Sequence, residues 1–477
     1  MSTQYIEKNA KKIYEEISKT WDDSIIPELV EYIKIPNKSV HFDPDWKKHG
    51  YMDKAMALIK TWCEKQPIKG MKLELHEMEG RTPLLFIEIP GEIDETVLLY
   101  GHMDKQPEMK GWDPDLGPWK PVLKDDKLYG RGGADDGYSS FASLTAIATL
   151  QRHNIPHARC VVIIEGCEES GSADLPFYLT KLKDRIGNPN LVICLDTGCG
   201  NYEQMWSSTS LRGIVAGKLN IEMLTNGIHS GVGSGVVPST FLVLRQLLNR
   251  LEDPNTGGVI LKDLMVDIPK HRVEQARQTA ETVRDIFFNS FPFLPGVKPI
   301  TDDIAELLLN QTWRPQLSVI GMDGLPTTAN AGNVTVPSLT VGISFRVPPT
   351  CDVEKATAAL KKELERDPPY HAKVTFEPDT PGTGWEAPKL EEWLKKANNE
   401  ASMQFYDKPA AYFGEGGSIP FMGMLGKMYP GAQFLITGVL GPKSNAHGPN
   451  EFLHIPMAKK ITGCVASVLA AHYEQFK

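Results

Sequence analysis

The chain has little of what marks several protein classes. Its 477 residues include seven cysteines (63, 160, 167, 194, 199, 351 and 464), an odd number with no CxxC pair. This disfavours a disulfide framework and favours reduced thiols. Basic residues are in deficit, 51 Lys and Arg against 60 Asp and Glu, for a net charge of −9. The positive surplus needed to hold nucleic acid or an anionic membrane surface is missing. No uninterrupted apolar run approaches the ~18–20 residues of a membrane helix. The opening residues MSTQYIEKNAKKIYEE read as a polar amphipathic helix without the apolar stretch of a signal peptide, so a cytoplasmic location is expected. HExxH is absent (His76-Glu77 lacks its second His), as are the GxSxG elbow and the GxxxxGK[ST] loop. There is no internal repeat and no low-complexity tract. What remains, 41% apolar and 23% charged, is the composition of an ordinary globular enzyme.

The pattern of elements indicates an α/β chain. Residues 13–32 carry apolar side chains at mixed three and four spacing, the signature of a core-facing helix. Short β-rich runs follow at 83–90, at TVLLY (96–100), at CVVIIE (160–165) and at LVICL (191–195), with helical stretches at 138–151 and 174–183. Strands that are continuously apolar, with helices between them, imply a sheet covered on both faces. After Arg212 the texture changes. IVAGKLNIEM (214–223) and LTVGISFRV (339–347) alternate apolar and polar as half-solvated strands do, with helices at 238–251 and 353–365. The expected organisation is a larger α/β domain, residues 1–212 and 388–477, interrupted by a smaller α+β domain, residues 213–387.

Chemistry-bearing residues collect where the buried strands end. TVLLY runs into Gly101-His102-Met103-Asp104, CVVIIE into Gly166-Cys167-Glu168-Glu169-Ser170-Gly171-Ser172, and LVICL into Asp196-Thr197-Gly198, while GRGGADDG occupies 130–137. Alone, an Asp-Asp-Gly is a turn and a Glu pair suits a helix N-terminus. Jointly they place His and several carboxylates outside the carboxyl ends of the strands, where open α/β sheets bind ligands. So much negative charge at one place repels itself unless a cation is present. The donor set, short of thiolates, suits Zn²⁺, Mn²⁺ or Co²⁺.

With HSG at 229–231 and AHGPNE at 446–451, these motifs together resemble the M20 metallopeptidases, nearest to the carnosinase-like cytosolic dipeptidase branch. The resemblance implies a zinc-exopeptidase-like catalytic domain, a mixed sheet flanked by helices, with an inserted lid and dimerisation domain. It implies two divalent ions per subunit, Zn²⁺ or Mn²⁺: His102 and Asp196 on one, Glu169 and His447 on the other, and Asp135 bridging them ahead of a cis peptide bond. Glu168 matches the general base acting on a water shared by the two ions, and Asp104 the residue that orients His102. His229 matches a lid histidine that reaches the neighbouring subunit's site in a homodimer and stabilises the oxyanion. Arg346 matches the residue that binds the substrate's terminal carboxylate, and Ser418 and Asn333 or Thr335 match further substrate contacts. Gly137-Tyr138 departs from the Lys-Gly that many relatives carry. The implied reaction is hydrolysis of dipeptides or short peptides with a free C-terminal carboxylate. An N-acyl-amino-acid amidohydrolase would share the same metal core. A non-catalytic binding protein of the same fold should have lost a ligand or Glu168, and none is missing.

Overall fold

A computed structural model describes residues 2–477. The chain opens with the helix Ser2–Thr20, continues through a wider turn at Trp21–Ile25 and ends the run in the helix Ile26–Ile33. Ile6, Ile13, Ile17, Trp21, Ile25 and Leu29 are all buried, so one apolar stripe persists through the change of pitch. This stripe lies on the C-terminal helix Ile455–Phe476, and Trp21 Nε1 donates to Thr462 Oγ1 at 3.0 Å.

A six-stranded sheet forms the centre, in the order Lys72–His76, Leu84–Ile89, Ala158–Glu165, Ile93–His102, Pro189–Cys194 and Gln433–Ile436. The first two strands run antiparallel to their neighbours and the last four are parallel. Alternate residues serve two cores. Val97, Leu99, Val162, Ile164, Leu191 and Ile193 face the helices Ser139–Arg152 and Ile455–Phe476. Leu98, Tyr100, Val161, Ile163, Val192 and Cys194 face the helices Leu175–Ile186 and Pro420–Met428. With both faces covered, every strand position is apolar, which is why these strands read as uninterrupted hydrophobic runs.

A second sheet is antiparallel, in the order Gln316–Asp323, Ser338–Val347, Gly213–Glu222, Lys373–Pro378. Its Val215, Leu219, Ile221, Val341, Ile343 and Phe345 pack against the helices Thr240–Leu248 and Val353–Glu365, and the other face is solvated. A third sheet joins Trp385–Glu386, Trp206–Leu211 and Ala411–Glu415. The helix Lys270–Val283, which has no strong periodic signal in the sequence, packs on this third sheet: Arg272 Nη2 donates to Thr209 O at 3.1 Å, and Thr279 Oγ1 to Tyr412 O at 2.8 Å. Among the described residues no helix is long and apolar enough to cross a membrane.

Parallel register aligns the strand ends. His102 pairs with Glu165, and Tyr100 with both Ile163 and Cys194, so the segments after 102, 165 and 194 leave the sheet side by side. The approach of the Asp135-bearing turn demands a glycine: a Cβ at Gly101 would overlap Ser139 Oγ and lie 2.9 Å from Asp136 Oδ2. Overpacking of this kind costs roughly 1–3 kcal/mol. Gly101→Ala is therefore expected to lower the urea midpoint of the metal-free protein by that amount, and an unchanged midpoint would contradict this packing.

Candidate metal centre

His102, at the end of its strand, is 1% exposed. Its Nδ1 lies 3.2 Å from the Asp104 carbonyl and 3.5 Å from Asp104 Oδ1, which assigns the ring's proton to that side. Nε2 then points into the site as a lone pair. It stands 3.3 Å from Asp135 Oδ1, 3.5 Å from Asp196 Oδ2 and 3.9 Å from Glu168 Oε2. It makes no hydrogen bond with any of them, and a buried polar atom left without a partner calls for an explanation. A cation among these acceptors supplies one.

Asp135 sits in the tight turn Gly133–Gly137, and the peptide bond to Asp136 is cis. Its second oxygen, Oδ2, lies 3.0 Å from His447 Nε2, and that same nitrogen is 3.4 Å from Glu169 Oε2. One carboxylate thus stands between two imidazoles. His447 has φ 65° and a side chain that is 54% exposed, so this end of the cluster meets solvent whereas the His102 end does not. Two ligand groups close enough to hold a metal ion result: His102 with Glu168 and Asp196, and His102 with Asp135 and Glu169. His, Asp and Glu without thiolate are the donors that Zn²⁺ or Mn²⁺ accept.

The electrostatics point the same way. Burial would keep His102 neutral, but Asp196, Asp104 and Asp135 override it and push its pKa well above the ordinary value. Burial, reinforced by neighbouring carboxylates, raises Glu168 and Glu169 well above the carboxylate range, while hydrogen bonds from His102 and His447 hold Asp135 below it despite its burial. The acids crowd each other into retaining protons, and divalent cations would take the place of those protons.

Supporting residues fix the ligands. Asp104, fully buried, uses its carboxylate differently from the sequence expectation of orienting His102: Oδ1 accepts the Glu168 amide and Oδ2 the Glu169 amide, both at 3.0 Å. It therefore holds the Glu168–Ser170 turn, while its carbonyl faces the His102 ring. Gln106 Nε2 donates to Glu169 Oε2 at 2.6 Å. The Met103 carbonyl accepts from Tyr32 Oη and from Asn37 Nδ2, at 2.5 and 2.6 Å. Glu415 accepts the Gly198 amide at 3.0 Å and so steadies the turn that follows Asp196. Arg131 and Glu451, both buried, form an ion pair, and Glu451 also accepts the Gly132 amide at 2.8 Å while Arg131 Nη2 donates to Gly448 O at 2.8 Å. Sequence reading missed Gln106, Glu415, Arg131 and Glu451. Only the last two carried a signal, as charged residues inside motifs already singled out.

The remaining sequence candidates lie elsewhere. Arg346 Nη1 donates to Ser418 Oγ at 3.0 Å. His229 is exposed, with Nδ1 accepting the Gly231 amide at 3.0 Å. It shares one surface with Asn333, whose carbonyl accepts the Ser230 amide, and with Thr335, which pairs with Ile228. Among the described residues no hydrogen bond or ion pair joins His229, Asn333 or Thr335 to the cluster.

Removing one acceptor of the Asp104 clamp tests its role. Asp104→Asn sets an NH₂ group against a backbone N–H, and loss of a ligand-supporting contact of this type costs ~10–100-fold in metal affinity or activity. Calorimetric Mn²⁺ titration is expected to show that loss; native affinity would mean the clamp is dispensable.

The profile of Peptidase family M20/M25/M40 matches residues 98–471. The chain is 25% identical over 385 residues to the Cysteinylglycine-S-conjugate dipeptidase of Corynebacterium striatum, covering 76% of this chain and 79% of that protein. It is 28% identical over 348 residues to the Cys-Gly metallodipeptidase DUG1 of Saccharomyces cerevisiae, covering 68% and 69%. Its fold is similar to the crystal structure of human carnosine dipeptidase 1, with a TM-score of 0.78 at 20% identity over 98% of this chain and 99% of the other. With a family match over most of its length and a cluster of metal-capable donors at the strand ends, the chain belongs to peptidase family M20/M25/M40 and is a metallopeptidase.

Proposed function

We propose that the chain is a two-metal dipeptidase acting on dipeptides or short peptides with a free C-terminal carboxylate. The observation that carries this reading is Asp135, whose two oxygens stand 3.3 Å from His102 Nε2 and 3.0 Å from His447 Nε2. His102 and Asp196 would hold one ion, His447 and Glu169 the other, with Asp135 bridging. Two Zn²⁺ or Mn²⁺ ions so held would polarise the scissile carbonyl and lower the pKa of a water between them.

The chain's own groups do the rest. Glu168, adjoining the ligand Glu169 on one turn, takes the proton of the attacking water and returns it to the departing amine. The Asp104 clamp keeps that turn in place. Arg346, braced by Ser418, binds the terminal carboxylate, a task suited to a guanidinium fork. His229 and Asn333 or Thr335, exposed on residues 213–387, reach the site of a second subunit in a homodimer. That segment is then the lid and dimerisation domain, with residues 1–212 and 388–477 the catalytic one. Cysteines that are all buried and unpaired suit a cytoplasmic enzyme.

The decisive assay uses metal-free protein reconstituted with Mn²⁺ or Zn²⁺, offered dipeptides beside N-acetyl and N-succinyl amino acids. Metal-restored dipeptide turnover with inert acylated substrates is expected. Preference for the acylated set would make the chain an amidohydrolase, and inactivity on both would make it a binding protein. Glu168→Gln is expected to retain stoichiometric metal while losing ~10²–10⁴-fold in kcat. A variant with full metal and near-native kcat would remove Glu168 from the proposed role.

A further inference from the structure

Two arginines meet without an acid. Arg212, just past the strand Trp206–Leu211, is 8% exposed. Its Nε donates to Gly416 O at 3.0 Å and its Nη1 to Asn310 O at 3.4 Å. Arg346, half-buried near the end of the strand Ser338–Val347, donates to Ser418 Oγ, and Ser418 Oγ donates in turn to Arg212 O at 2.5 Å. Among the described residues no carboxylate acts on either guanidinium, and the charge felt by Arg212 is that of Arg346. Buried guanidinium groups are ordinarily paired, and a like-charged neighbour makes the vacancy for an anion more pronounced.

The same place has an apolar chamber. A cavity of about 360 Å³ is lined by Arg212, Gln316, Phe287, Phe291, Phe293 and Leu307. Gln316 is the cross-strand partner of Arg346, so their side chains share a face and the cavity borders both arginines. Phe291 and Phe293 remain 39% and 43% exposed, although aromatic side chains gain much by burial. The pair lies within reach of the metal centre along the chain. Glu415 accepts the Gly198 amide beside Asp196, and Ser418 is three residues further on, at most ~10–11 Å at 3.3–3.6 Å per residue.

We propose that Arg212 and Arg346 together seat the C-terminal carboxylate of the peptide, and that the aromatic cavity beside Arg212 receives the side chain of that C-terminal residue. The chain then selects dipeptides ending in a bulky apolar residue. This rests on the dipeptidase reading and adds to it a second carboxylate-binding arginine and a substrate class. Lys298 also lines the cavity, and with Arg212 it turns away a C-terminal Lys or Arg.

The test compares kcat/KM for Ala-Phe, Ala-Leu, Ala-Gly and Ala-Asp on the Mn²⁺-loaded protein. Ala-Phe is expected to exceed Ala-Gly by ~10-fold or more, the discrimination that an apolar pocket supplies. Phe291→Ala and Phe293→Ala are expected to reduce that ratio. Arg212→Gln is expected to raise KM for Ala-Phe by ~10-fold with a smaller change in kcat, and Arg212→Lys to recover part of the loss. Because Arg212 also binds backbone carbonyls, calorimetry with L-phenylalanine and L-phenylalaninamide supplies a second readout. The amino acid should bind more weakly to the Arg212→Gln variant, and the amide should bind both proteins alike. Equal turnover of Ala-Phe and Ala-Gly, or an Arg212→Gln variant that weakens acid and amide equally, overturns the inference. If no peptide is hydrolysed yet L-phenylalanine binds through Arg212, the dipeptidase reading fails and the carboxylate seat stands.

Discussion

The buried ion pair between Arg131 and Glu451 is the contact on which the assembly of the metal centre depends. Arg131 opens the turn that carries Asp135, and Glu451 closes the loop that carries His447, so residues more than 300 positions apart meet through one charged contact. Neither side chain is exposed, and each has further backbone partners at Gly132 and Gly448. Taking both charges out of water offsets much of their attraction, so the pair adds little to stability by itself. Removing one partner would strand the other charge in a dry interior, at a cost of ~3–5 kcal/mol. Its contribution is placement: no other arrangement of the two loops satisfies both ions.

Around that contact the protein tolerates electrostatic conflict. His102, Asp135, Glu168, Glu169 and Asp196 crowd into a space from which water is largely excluded, and the backbone amides and side chains around them are arranged to hold acids in place rather than to neutralise them. Asp104 takes two amides, Gln106 takes Glu169, and Glu415 takes the Gly198 amide. Beneath the cluster Glu165, bonded by Tyr100 and Ser172, is pushed up to about 7 by burial. A local arrangement this unfavourable without cations is the expected signature of a functional site, where local rules give way.

The two halves of the proposed active centre are built on different physics. The metal-facing half stands on parallel strands buried on both faces, which fixes the ligands on rigid elements. The carboxylate seat draws on an antiparallel sheet, a separate strand and a helix terminus, joined by Ser418, Gly416 and Asn310. Chemistry needs rigid ligands, whereas substrate choice is set by the more variable elements around Arg212 and Arg346.

By itself, the sequence determined the strands and the ligand types. TVLLY, CVVIIE and LVICL could only be strands buried on both faces, and their polar successors had to emerge at the sheet's carboxyl edge. The alternation in 214–223 and 339–347 likewise announced a half-solvated sheet, because burial on one face imposes a period of two. What lies between those runs was less legible. The helix Lys270–Val283 has a weakly amphipathic pattern, and its position depends on single contacts such as Thr279 to Tyr412. Tertiary structure alone decided that Asp104 grips the Glu168 and Glu169 amides, that Glu451 anchors the His447 loop, and that Arg212 lies without a carboxylate beside Arg346. Periodicity reports which face of an element is buried; which distant loop meets it is set by the packing of the whole chain, and a single polar residue carries no periodic mark of its partner.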